Sequence, residues 1–400
     1  MKVKDEEVTK IYIVISCIYA FFSHIKYFSF INVNKAYLLI SILFTLYKII
    51  IKNRIIKIRK YECILILFLV YLIISNYYLS FTSNGIEYFL FFFAVSINSI
   101  LLKDELNWSN YFINIIFVCC ITHCVFIMMQ ATFPSVFNFF SKLLLSDSVI
   151  LSITYARGNN YYSGITLGPA SAGLFSTILI GILLSKMLIQ KKHNLKNIIL
   201  LLLGILSLIL SQKRAFILAV IVATIFIIFV NEKSKNTGLK FINKMFAFSV
   251  IIFFVCLILS FIPQTQNVIN RFVNNDRMLS GREVMYEQMF NWFLEKKFIG
   301  IGLGMAKTTF GYGGHNVYLQ MLAECGIIGS ILYFGYMLYL MIYNYKIAIE
   351  LIDYRTLFAI FIQIILLIYS LTGNPIYDYT YLMLFMYILS IPCSIKERKN

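Results

Sequence analysis

The sequence predicts an all-α, polytopic integral membrane protein of about 12 transmembrane helices with one larger outer loop. Three observations carry this. The 400 residues are 60% hydrophobic and 13% charged, with a mean hydropathy of +0.81, whereas a soluble domain is roughly half apolar. Apolar runs of about 20 residues recur along the chain, the length a helix needs to cross a bilayer. Those runs lack the apolar–polar alternation of a membrane β-barrel.

The spans follow in order. The first two cover about 11–31 and 36–51, and the link KNRIIKIRK (52–60) carries five positive charges. Such a link is expected in the cytoplasm, which places the N-terminus inside too. Spans 3 to 5 cover about 62–79, 86–102 and 111–129, giving an N-terminal unit over 1–130. An outer interfacial segment, 131–165, contains the amphipathic FPSVFNFFSKLLL, which suits a helix lying along the membrane surface. Spans 6 to 9 cover about 166–189, 198–211, 215–230 and 245–262. The large outer loop is 263–315, and spans 10 to 12 (about 317–343, 356–372 and 380–395) fill 316–400. Both termini are then cytoplasmic.

The formal net charge of +17 does not indicate a nucleic-acid partner. The lysines sit in short links between spans, not on one face or stripe. On this topology the inner segments hold 23 of the 35 Lys+Arg and the outer face 12, yet five of nine arginines (Arg157, Arg214, Arg271, Arg277, Arg282) lie outside. The lysines follow the insertion rule and the arginines depart from it. All eight cysteines fall in apolar runs without metal-ligand spacing and read as small buried hydrophobes. The start MKVKDEEVTK leads into a retained first span, with no small-residue cleavage site. No internal repeat of the kind found in many transporters stands out.

The outer loop and the start of span 10 concentrate the polar chemistry. They hold Arg271, Arg277 and Arg282, the runs GIGLG (300–304) and GYGG (311–314), and His315, one of four histidines. Arg282, in LSGREVMYEQ, is expected to open a short helix with Ser280 as N-cap and Glu283 in the first turn. Arg214, in SQKR between two spans, is either an interfacial anchor or an anion ligand at a cavity mouth. Arg157 precedes Tyr161-Tyr162 and reads as a loop charge or an anion ligand.

His315, after a flexible turn at the outer end of span 10, suits a neutral imidazole acting as general base, with a pKa near neutrality. His24 and His123 are expected inside spans 1 and 5, and His193 in an inner link. Glu324, nine residues on, is half a turn out of phase with His315 and is not expected to pair with it. Gly326 and Gly329 read as close helix packing. GIGLG is a poor phosphate loop, because no strand precedes it and no Lys-Ser pair follows. The outer acidic residues are scattered, so no metal and no cofactor is expected. Arginine forks would then neutralise an anionic leaving group.

These motifs resemble the C-terminal region of the O-antigen polymerase and O-antigen ligase superfamily. The likeness lies in SGREVMYEQ, GIGLG and HNVYLQMLAECGIIG, with SQKRAFILAV similar to the family's SxxRxA span start and YARGNNYYSG to its RxxG segment. It implies a GT-C-like, metal-independent glycosyltransferase acting on undecaprenyl-diphosphate-linked oligosaccharide. The implied setting is the outer face of a bacterial cytoplasmic (inner) membrane, in O-antigen, lipopolysaccharide or capsule synthesis. Carried over by motif, Arg157, Arg214 and Arg282 would contact the diphosphate and His315 the acceptor hydroxyl. The expected partners are membrane lipid and a chain-length regulator protein. The modest loop and HNVYLQ favour a polymerase, with a ligase as the alternative within the class. A lipid-linked oligosaccharide flippase is the alternative of another class, disfavoured because charge lies at span ends.

Overall fold

The structure is a computed structural model that describes residues 2–28, 30–52, 58–79, 82–105, 107–190, 194–234 and 282–399. The expected ninth span, Arg271, Arg277, Ser280, His193 and Cys256 lie outside the described residues.

The first five helices are α1 (Lys2–Phe22), α2 (Val33–Leu46, continued by a π turn Tyr47–Ile51), α3 (Lys60–Leu79), α4 (Ser83–Leu102) and α5 (Trp108–Thr132). Two shorter ones follow, α6 (Pro134–Leu144) and α7 (Asp147–Gly158). Then come α8 (Pro169–Ile189), α9 (Leu195–Leu210) and α10 (Arg214–Ser234). After the undescribed stretch stand α11 (Glu283–Glu295), α12 (Met305–Phe310), α13 (Val317–Leu351), α14 (Tyr354–Tyr369) and α15 (Tyr379–Lys399). Among the described residues, seven helices are long and apolar enough to cross a membrane, and α9 and α14 are shorter apolar helices. Among the described residues there is no strand, only an isolated bridge between Ile25 and Leu145. The protein is an all-helical, polytopic membrane protein, as its apolar runs predict.

Helices α8, α14 and α15 form the centre. Their side chains are buried almost all round, including Phe358, Phe361, Met383 and Tyr387, the pattern of a helix surrounded by others. Helix α8 packs on α5, α9, α10 and α14, and α14 packs on α10 and α15.

The two ends of the bundle differ in chemistry. One end carries ion pairs: Lys48 with Asp5 (2.9 Å) and Glu105 (2.8 Å), Lys103 with Glu62 (2.6 Å), and Arg355 with Asp353 (2.6 Å). The other end is joined by hydrogen bonds onto backbone carbonyls between loops. Tyr162 N–H donates to the Leu210 carbonyl (3.1 Å), Val317 N–H to Ser370 (2.8 Å), and Gln212 Nε2 to Asn160 (2.7 Å). Residues the charge pattern assigns to one side of the membrane thus meet each other.

Two local expectations need correction. Helix α1 ends at Phe22, so His24 is not inside a span; its ring nitrogen meets the Ile165 carbonyl at the loop-bonded end. His123, by contrast, is buried within α5 as expected, with Nε2 3.0 Å from the Phe21 carbonyl. Helix α13 is not continuous: Gly326 has φ 63° and ψ −170° and breaks it. A side chain there would be strained and would overlap the Phe298 carbonyl. Gly329 is the packing glycine expected, set against the Tyr71 ring.

Candidate functional site

The site is built on the first turns of α13. Asn316 caps the helix, its Oδ1 accepting from Leu319 N–H at 3.1 Å. One turn on, the buried Gln320 accepts from Gly314 N–H through Oε1 (2.7 Å) and donates through Nε2 to Glu324 Oε1 (3.0 Å). The buried Glu324 accepts from Gly304 N–H and Ala306 N–H, both at 2.9 Å. Gln320 and Glu324 therefore hold the preceding loop against the helix. Glu324 is spent on this clamp and not on His315.

The GIGLG run is the other half of the clamp. Ile301 N–H donates to the Ala323 carbonyl and Gly302 N–H to that of Glu324, both at 3.0 Å, and Gly300 N–H to Lys296 at 2.8 Å. These amides are occupied within the protein, so the loop offers no phosphate cradle. Its role is architectural.

Helix α11 rides on this frame through a cluster of Met285, Met289, Ala306 and Ala323, with Trp292 and Phe310 packed on it. That fixes Arg282, which occupies the N-cap position with no side-chain cap of its own. The helix thus starts two residues later than expected, with Glu283 in the first turn. Arg282 Nη1 donates to the Thr372 carbonyl at 3.0 Å.

His315 adopts φ 55°, a left-handed conformation uncommon for a non-glycine residue. The segment is over-determined on both sides: Gly314 is held by Gln320, Val317 N–H by Ser370, and the His315 carbonyl by Tyr286 Oη (3.3 Å). The ring is half-buried and lies 5.7 Å from the Tyr312 ring between centroids. Burial, Arg282 and Lys213 push its pKa down to about 4. The expectation of titration near neutrality does not hold for the free protein, because the ring is partly buried and two cations add to the effect.

Lys213 is the group the sequence reading passed over. It immediately precedes α10, and its Nζ lies 6.0 Å over the Tyr161 ring. Burial and Arg282 hold its pKa below the ordinary lysine value. Among the described residues neither Lys213 nor Arg282 is in an ion pair. The only signal in the sequence was adjacency to Arg214.

The structure brings Lys213, Arg282 and His315 within electrostatic reach of one another. Arg214 is at the same end, as the first residue of α10. Arg157 is half-buried in the last turn of α7, and the chain that follows it bonds to the α9–α10 turn through Tyr162 and Asn160. Helix dipoles separate these cations. A helix C-terminus favours positive charge, which accounts for Arg157 without a ligand. Lys213 and Arg214 at the N-terminus of α10, and Arg282 at that of α11, stand where positive charge is disfavoured. Three basic groups at helix N-termini, two of them outside any ion pair among the described residues, form an arrangement able to hold an anion. Among the described residues no three His, Cys, Asp or Glu side chains come together as metal ligands.

No curated protein matches the chain. Residues 199–334 match the family model described as O-Antigen ligase, a stretch that contains Lys213, Arg214, Arg282, the GIGLG clamp and His315. Through this segment, about a third of the chain, the protein is similar to the O-antigen ligase family.

Proposed function

We propose that the protein is a metal-independent polysaccharide polymerase. It moves a growing glycan from undecaprenyl diphosphate onto a sugar hydroxyl of a lipid-linked repeat unit, at the outer face of the cytoplasmic membrane. The observation that supports this is the meeting of Lys213 and Arg282 with His315 at helix N-termini. His315 takes the proton of the acceptor hydroxyl. The acceptor oxygen bonds to the anomeric carbon as that carbon's bond to the phosphate oxygen breaks. Undecaprenyl diphosphate leaves with its charge held by Arg282, Arg214 and Lys213, with Arg157 as a further contact.

A ligase would use the same cations and base with another acceptor, such as a lipid A core. Deletion separates the readings. Loss of a polymerase leaves single repeat units on the final acceptor. Loss of a ligase strands long chains on the lipid carrier, and loss of a flippase leaves repeat units on the cytoplasmic leaflet.

The arginine role has its own check. Arg282→Lys and Arg214→Lys keep the charge but lose the planar fork, so transfer should fall sharply at unchanged expression. Full activity of both variants would reduce the arginines to a general electrostatic effect. Orientation is tested by reporter fusions. Those after Lys192 and Lys235 should read cytoplasmic and those after Asn274 and Pro375 external; a cytoplasmic signal at Asn274 would put the site on the wrong side for this substrate.

A further inference from the structure

A cleft opens at the turn just before His315, where Tyr312 and Gly313 line it. It has a volume of about 180 Å³ and is lined by Lys307, Tyr312, Asn374, Tyr377, Asp378 and Tyr379, among others. Its charge differs from that of the cation cluster. One cation, Lys307, faces one carboxylate, Asp378, so the lining carries no net charge and gives no reason to hold an anion. Lys307 Nζ is already placed 5.5 Å over the Tyr379 ring.

The cleft offers broad aromatic faces next to planar polar groups. Asn374 Oδ1 is buried with no hydrogen-bond partner among the described residues, and a buried polar atom left unmet costs free energy. The volume lies below the roughly 300–1,000 Å³ of pockets that hold drug-sized ligands, which limits an occupant to about one ring. A neutral ring with apolar C–H faces and several hydroxyls meets each requirement: its faces lie on tyrosine, and its hydroxyls pair with the amide, carboxylate and ammonium.

We infer that this cleft is the subsite for the terminal sugar ring of the acceptor, with Asn374, Lys307 and Tyr379 setting which ring is accepted. The assignment rests on the glycosyl-transfer reading above and deepens it. The diphosphate lies on the Arg282–Lys213 side of His315. The acceptor ring lies on the Tyr312 side, which directs one hydroxyl toward the imidazole. A site built to hydrogen-bond hydroxyls rejects rings that lack them far more strongly than a shape-only pocket does.

The test uses full-length protein in lipid nanodiscs and two probes. Undecaprenyl diphosphate reports the cation cluster. A panel of methyl glycosides (glucoside, galactoside, mannoside, rhamnoside and the two N-acetylhexosaminides) reports the cleft by saturation-transfer NMR. At least one glycoside should bind, and Asn374→Ala and Lys307→Ala should each weaken it at least about tenfold. Both variants should still bind undecaprenyl diphosphate, which also shows that they are folded, and Arg282→Lys should leave glycoside binding unchanged. The subsite is refuted if no glycoside binds protein that binds undecaprenyl diphosphate, or if neither substitution weakens the glycoside. Undecaprenyl diphosphate binding that ignores Arg282→Lys would count against the diphosphate reading alone.

Discussion

His315→Ala should slow glycan transfer by at least about 100-fold, the scale of a lost general base, while the protein still inserts and binds lipid-linked substrate. A sugar hydroxyl is a poor nucleophile, and the leaving diphosphate needs no acid while cations hold its charge. The reaction therefore asks for one base beside several positive groups, the arrangement of His315, Arg282 and Lys213. The acid limb carries the second half of this prediction. In the free protein the imidazole is pushed down to about 4 by burial, Arg282 and Lys213. It is then neutral, and able to accept a proton, from neutral pH down to that region. So kcat/KM, which reports the free enzyme, should stay level through mild acid and fall below about pH 4. A bound diphosphate brings negative charge that offsets both cations and raises the pKa, so the limb of kcat should sit at higher pH. Removing a cation acts in the same direction on the free enzyme: Arg282→Ala should move the kcat/KM limb upward. Near-normal glycan length in cells carrying His315→Ala at native expression would leave His315 as a structural residue only.

Glu324→Ala should be the most destabilising single change near the site. It removes the acceptor for Gly304 N–H, Ala306 N–H and Gln320 Nε2 in a buried setting. Each stranded buried donor costs about 1–3 kcal/mol, and the three are coupled, so a net loss of about 3 kcal/mol or more is expected. Thermal unfolding in nanodiscs should show it as an earlier transition, with Glu324→Gln in between because it keeps one acceptor oxygen. If Glu324→Ala unfolded at the wild-type temperature, the clamp would not be what holds the loop.

Apolar runs and charged links made most of the fold legible, because in a bilayer each helix must satisfy its own backbone and its length is set by membrane thickness. Every expected span within the described residues has a helix over it. Gly326 was harder to read. Its sequence context, LAECGIIGS, continues the helical pattern, and only the loop packed against it explains the break. Part of the site was legible for a similar reason. Arg214 and Arg282 stood out because outer arginines oppose the insertion rule. Lys213 did not, since a lysine at a span end is ordinary and its importance comes from facing residues about 70 and 100 positions later in the chain. The aromatic cleft was invisible for the same reason: Lys307, Tyr312 and Tyr379 become neighbours only when α12, the turn before α13 and the start of α15 meet.

The break at Gly326 bears on how such chains diversify. Past it, Ile327 N–H donates to the Lys297 carbonyl at 2.8 Å and Ile328 N–H to that of Phe298 at 3.2 Å. The second half of α13 thus starts on carbonyls lent by the loop before it, and the first half lends its own to Ile301 and Gly302. Neither segment satisfies its backbone without the other, and the burial of Gly326 leaves little water to substitute. Recombination that joins the loop of one homologue to the span of another should strand these groups unless residues 296–330 travel together. That block, not the loop by itself, is the smallest segment that can be exchanged without stranding these groups.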